Sequence, residues 1–94
     1  MTVERRVTVG SSVGLHARPA TLFTKAAAAQ PVKVTIAAGD RGPVDARSIL
    51  SVLGLGVGNG EEVVLAAEDG PDAEAAVAAL ADLLATDMDS APTG

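Results

Sequence analysis

The single histidine of the chain, His16, stands in the segment Gly14-Leu15-His16-Ala17-Arg18-Pro19-Ala20. Proline cannot lie deep inside a helix, so a helix containing Pro19 must begin close to His16. A helix start leaves several backbone N–H groups without partners and carries roughly half a positive charge, a combination that favours an anion. The spacing places the amides of Ala17 and Arg18 beside the imidazole. Arg18 adds a permanent cation whose donor fork suits phosphate. Gly10 and Gly14 would let the preceding loop approach closely. The positive helix end and Arg18 both disfavour imidazolium, keeping the ring neutral and nucleophilic at about pH 7. The same groups would stabilise the negative charge of a phosphoryl group once it arrived, and phosphoryl transfer needs chiefly positioning and charge stabilisation. A histidine so placed, with no partner that activates water, can accept a phosphoryl group and pass it on. Each residue taken singly has a plainer reading: a lone histidine is most often structural or merely exposed, an arginine a solvated charge, a proline helix punctuation. On these residues alone both readings stay open.

The rest of the composition narrows the chemistry. There is no cysteine, which removes disulfides, thiol redox chemistry and cysteine-based metal sites, and one histidine makes a zinc site a poor reading. No cofactor is expected. Aromatic residues are represented by Phe23 alone, so there is no platform for stacking bases or sugars. The net charge of −5 argues against general nucleic-acid affinity and suits a protein that meets other proteins or is simply kept in solution by its charge. No apolar run reaches the roughly 20 residues of a membrane span, and the charged start of the chain lacks the apolar core of a signal peptide. The expectation is a cytoplasmic monomer with no membrane insertion. The glycine-rich run Gly54-Leu55-Gly56-Val57-Gly58-Asn59-Gly60 has no P-loop lysine and precedes a strand, so it reads as a turn. Glu61, Glu62, Asp87 and Asp89 read as solvated surface, and no paired-carboxylate site or catalytic triad is visible.

The elements that must position His16 follow from periodicity. Val3–Val9 reads as a strand with Val3, Val7 and Val9 on one face, and Gly10–Gly14 as a loop. Residues 17–29 favour a helix with Leu22, Phe23, Ala26 and Ala27 as its buried stripe, stopped by Pro31. Val32–Ile36 alternates as a strand, Gly39–Pro43 as a turn, and Val44 as a short return strand. Ser48–Leu53 reads as a short helix with Ser48 as N-cap and Gly54 as its stop. Glu62–Ala67 is a strand. Gly70-Pro71-Asp72 opens a final helix with Ala73, Ala76, Val77, Leu80, Leu83 and Leu84 inward. This order predicts an α+β, two-layer open-faced sandwich: a four-stranded antiparallel sheet with three helices on one face. Residues 1–86 are expected to form one domain and residues 87–94 a flexible C-terminal tail.

The segment around His16 resembles the active-site signature of the HPr family, the histidine-containing phosphocarriers of the bacterial phosphoenolpyruvate:sugar phosphotransferase system. A second match, Arg47-Ser48-Ile49-Leu50-Ser51-Val52-Leu53-Gly54-Leu55-Gly56-Val57, resembles the family's regulatory-serine helix and the glycine turn after it. The spacing between the motifs fits, and the resemblance spans everything except the tail. It implies a βαββαβα fold of the kind that the periodicity predicts. It also implies that His16 takes phosphate on Nδ1 from phosphorylated enzyme I and gives it to the IIA component of a sugar permease, with Arg18 stabilising the group in transit. Ser48 would match the serine that an ATP-dependent HPr kinase/phosphatase modifies in some members, linking sugar supply to a transcription regulator. Val13 departs from the family pattern, which often has there a small polar residue able to bond the histidine; that task would fall to backbone, water or Ser12.

Ile49, Leu50, Val52 and Leu53 cannot all point inward from one short helix, so two are expected at the surface. The resemblance makes Leu50 and Leu53, with Thr21 and Ser51, a docking patch for partners. Ser48 can be both a helix cap and a phosphorylation site, since phosphate is electrostatically welcome at a helix start. Two other roles fit the same sequence. One is a mainly regulatory binding module acting through Ser48. The other is a carrier in a nitrogen- or dihydroxyacetone-linked phosphorelay.

Overall fold

The computed structural model describes residues 2–10, 17–58, 60–68 and 70–85. Seven elements follow one another: β1 (Thr2–Thr8), α1 (Ala17–Ala28), β2 (Val34–Ala38), β3 (Arg41–Asp45), α2 (Ile49–Gly54), β4 (Glu62–Glu68) and α3 (Ala73–Ala85). The strands form one antiparallel sheet in the order β1-β4-β2-β3. The helices cover one face of it and leave the other open, the open-faced sandwich expected from the sequence. The proposed tail, residues 87–94, lies outside the described residues.

Alternation builds the two faces of the sheet. Val34, Ile36 and Ala38 of β2 and Val63, Leu65 and Ala67 of β4 are buried beneath the helices, with Ile36 opposite Leu65 and Val34 opposite Ala67. Thr35, Ala37, Val64 and Ala66 point to the open face, where Thr35 Oγ1 donates to the Ala66 carbonyl at 3.4 Å. Phe23, Val52, Val77, Leu80 and Leu84 close the core from the helical side. α3 lies over β1 and β4, α2 beside β3, and α1 between the two other helices.

Several sequence expectations are corrected. The inward stripe of α1 is Pro19, Ala20, Phe23, Thr24 and Ala27. These positions recur at helical spacing, and they turn Leu22 outward, where it is 43% exposed. Thr24 is tolerated inside because its hydroxyl donates to the Thr21 carbonyl at 3.2 Å. β2 is displaced two residues along the chain from Val32–Ile36, because its ladder with β4 runs on through Ala37, and Val32 only packs against the core margin. β3 is a full strand rather than a lone Val44. Its Gly42-Pro43 pair reads as a turn but sits at the sheet edge, where a missing N–H is tolerated. Gly42 has φ +88°, and a Cβ there would come within 3.0 Å of the Ile36 carbonyl oxygen, so this position requires glycine. Gly54 does not stop α2 but is its last residue; the left-handed turn falls on Gly56, at φ +63°. In α3, Ala81 joins the buried positions while Leu83 stays half-buried.

The sheet end that leads to the histidine segment is tied down by backbone. Val9 leaves the β1 ladder yet stays fully buried; its N–H donates to the Glu61 carbonyl, and its carbonyl accepts from Gly60 N–H, both at 3.0 Å. Gly10 N–H then donates to the Leu84 carbonyl at the end of α3, at 2.8 Å.

Candidate functional site

His16, together with Ser12, Val13 and Gly14, lies outside the described residues. The helix that begins directly after it defines the site: α1 starts at Ala17. The proline therefore falls in the first turn, where its absent N–H is no loss, and its ring is buried against the core. Packing of Pro19 and Ala20 anchors that turn, while Arg18 between them and the chain entry is exposed. The first-turn amides, including those of Ala17 and Arg18, have no intrahelical acceptors at such a position. α1 carries no acidic side chain in its first turn and Lys25 in its last, so nothing on it offsets the positive end of the dipole.

α2 packs against α1 and carries the second group of predicted residues. Ser48 caps it with extended backbone. Its Oγ accepts from Ser51 N–H at 3.4 Å and its hydroxyl donates to Ser51 Oγ at 3.0 Å, while its carbonyl accepts from Val52 N–H at 2.9 Å. Ser48 and Ser51 are both half-buried. Val52 is fully buried, Ile49 and Leu53 pack against the core margin, and Leu50 is 81% exposed. Thr21 lies on the exposed side of α1. The predicted docking residues thus sit on two helices that touch, with Leu50 as the fully projecting one and Leu53 only half available. Sequence reasoning missed Leu22: among the described residues it and Leu50 are the large apolar side chains left exposed. The signal was the i, i+3, i+4, i+7 spacing of Ala20, Phe23, Thr24 and Ala27, which leaves Leu22 off the buried face.

Just before the Ser48 cap, Asp45 and Arg47 form a fork. Arg47 Nε donates to Asp45 Oδ1 at 3.1 Å and Nη2 to Oδ2 at 3.0 Å, and the Arg47 amide donates to Oδ1 at 2.9 Å. The Arg47 side-chain bonds, helped by its amide, hold the Asp45 carboxyl at about 2 rather than 3.8, and the same pairing raises the Arg47 guanidinium. Sequence reasoning did not single out this pair. Among the described residues no group of His, Cys, Asp or Glu could hold a metal ion, and no helix is long and apolar enough to cross a membrane.

Comparison with known proteins identifies the arrangement. Residues 3–86 match the family described as "PTS HPr component phosphorylation site". The phosphocarrier protein HPr of Streptomyces coelicolor is 55% identical over 89 residues, which covers 95% of each chain. That of Haloferax volcanii is 49% identical over 85 residues, covering 89% of this chain and 94% of the other. The crystal structure of HPr from Bacillus anthracis superposes with a TM-score of 0.81 at 36% identity, over 88% of this chain and 96% of that one. A helix that opens at Ala17 with an exposed Arg18 and a buried Pro19, on an open-faced sandwich matched along nearly its whole length, places this chain in the HPr family of phosphotransferase-system phosphocarriers.

Proposed function

We propose that this chain accepts a phosphoryl group on His16 from phosphorylated enzyme I and delivers it to the IIA component of a sugar permease. The bond from phosphorus to enzyme I breaks as the P–N bond to His16 forms, and that bond breaks in turn as the group passes to the IIA component, so the chain is a stoichiometric carrier with a transient phosphohistidine, not an enzyme with its own substrate. The observation that carries this reading is the start of α1 at Ala17, with Arg18 exposed and Pro19 packed beneath it. First-turn amides and a guanidinium are what an incoming phosphoryl group requires of its receiving site. Leu50 and Leu53 with Ser51 on α2, and Thr21 and Leu22 on the exposed side of α1, would meet both partners in turn, since the same exposed apolar side chains can serve successive transient encounters. The carrier works as a monomer in the cytoplasm. The test is incubation with enzyme I and phosphoenolpyruvate: a base-stable, acid-labile phosphate should appear on the wild type and be absent from His16→Ala. Labelling that survives that substitution ends the reading.

Ser48 is the candidate for regulatory phosphorylation, supported by its hydroxyl at the start of α2, two residues before Leu50. A phosphate there would place negative charge beside the docking patch and weaken the enzyme I encounter. Treatment with an HPr kinase/phosphatase and ATP should label the wild type and not Ser48→Ala; equal labelling of both assigns the modification elsewhere.

A further inference from the structure

Arg41 opens β3 at the sheet edge, far in sequence from His16 and Arg18, and reaches across to the chain that links α2 to β4. Its Nε donates to the Ala38 carbonyl at 3.2 Å. Nη1 donates to the carbonyl of Leu55 and reaches that of Gly56, the two residues immediately after α2. Nη2 donates to the Glu61 carboxylate. Glu61 is in turn used three ways. One carboxylate oxygen takes Arg41, the other accepts from Gly58 N–H at 3.1 Å, and its backbone carbonyl accepts from Val9 N–H at 3.0 Å. Gly60 N–H closes the pair by donating to the Val9 carbonyl. One guanidinium therefore links the end of α2, the turn before β4 and the exit of β1, the strand from which the chain runs toward His16.

We propose that Arg41 and Glu61 are positioning residues for phosphoryl transfer: they hold the β1 exit at Val9–Gly10 in fixed relation to the end of α2, the helix that carries Leu50. The proposal rests on the reading of His16 as the phosphoryl acceptor. The pair is too exposed to matter much for global folding, with side chains 43% and 32% accessible, and ion pairs of that kind add little to overall stability. Its effect is local. Without the guanidinium the carbonyls of Leu55 and Gly56 lose their shared donor, and among the described residues the Glu61 carboxylate keeps the Gly58 amide alone. The β1 exit then depends on the backbone pair at Val9. What the two side chains supply in this proposal is geometry.

The test uses Arg41→Met, which keeps the length of the side chain and removes its donors, and Glu61→Gln, which keeps an acceptor for Gly58 and removes the charge. Native-state hydrogen exchange should speed up about tenfold at the Val9 and Gly60 amides in either variant while Ile36 and Leu65, in the middle of the sheet, stay protected. With enzyme I and phosphoenolpyruvate, kcat for phosphorylation of the variants should fall about fivefold with KM nearly unchanged, as expected when alignment rather than docking is lost. The double variant should be no worse than Arg41→Met. Unchanged protection at Val9 and Gly60 overturns the proposal. So does a loss of protection spread evenly over the sheet with kcat preserved, which would make the pair a general stabiliser. A wild type that takes no phosphate sinks the His16 reading instead, and exchange at Val9 and Gly60 still decides whether the brace exists.

Discussion

Replacing Leu50 by alanine separates docking from folding. The change removes three carbons, about 2.4 kcal/mol of burial at about 0.8 kcal/mol per methylene. In the free protein that surface contributes almost nothing, because Leu50 is 81% exposed. Stability should therefore change by no more than about 0.5 kcal/mol. Nearly all of the removed area is available to a partner, so docking stands to lose up to about 2 kcal/mol, a rise in KM for phosphorylated enzyme I of up to about 25-fold. Val52→Ala is the converse control. Val52 lies two residues on in the same helix and is fully buried. Its truncation should cost about 2 kcal/mol of stability once the cavity is counted, with KM unchanged while the protein is folded. Denaturant midpoints and initial rates of phosphoryl transfer at varied carrier concentration measure both quantities. A KM for Leu50→Ala within twofold of the wild type would refute the docking role. A denaturation midpoint lowered as far as in Val52→Ala would show that the side chain belongs to the core.

Phe23, the largest fully buried side chain, should cost about 3–5 kcal/mol when cut to alanine, enough to unfold much of a small domain at ambient temperature; far-UV circular dichroism in denaturant would show it. Ser48→Ala removes the N-cap acceptor of a six-residue helix, and because that bond is long at 3.4 Å the loss should sit near about 0.5 kcal/mol, read from the denaturant midpoint. The Asp45 carboxyl is depressed in the folded state, so its contribution is complete above about pH 4 and disappears as pH falls toward 2. Arg47→Gln should flatten that acid limb of the stability curve, and an unchanged limb would mean that other carboxylates govern it.

Local chemistry was the legible part of this chain. Ser48 could be read as a helix cap because a hydroxyl before an apolar run serves the amides within its own reach. Arg18 could be placed in a first turn because Pro19 permits no other start. The elements misread are those held by something distant. Ala37 and Ala38 have little strand preference of their own and are strand because Ala37 pairs with Val64 of β4 and Ala38 with Arg41 of β3. Gly42-Pro43 reads as a turn in isolation and is a strand because it occupies an edge. Leu22 was drawn inward by its hydrophobicity, although the helical period set by Phe23 and Ala27 turns it outward. The Arg41–Glu61 link joins residues twenty apart with no periodic signature, and only the fold brings them together.

The net charge of −5 is a poor guide to the proposed docking surface. All seven cationic side chains fall at or before Arg47, and only Glu4, Asp40 and Asp45 among the acids precede it. The fold keeps that division where it counts. α1 carries Arg18 and Lys25 with no acid, α2 carries no charge and follows Arg47, and α3 carries Glu74 and Asp82 with no base. With α1 between α2 and α3, the helical layer runs from uncharged through cationic to anionic across its width. Leu22 stands on the cationic helix and Leu50 on the uncharged one packed against it. Under the proposed function, a negatively charged phosphoryl donor would be drawn to α1 and the exposed leucines on it and beside it, and away from α3. Charge alone, averaged over the chain, hides this; charge assigned to helices accounts for it.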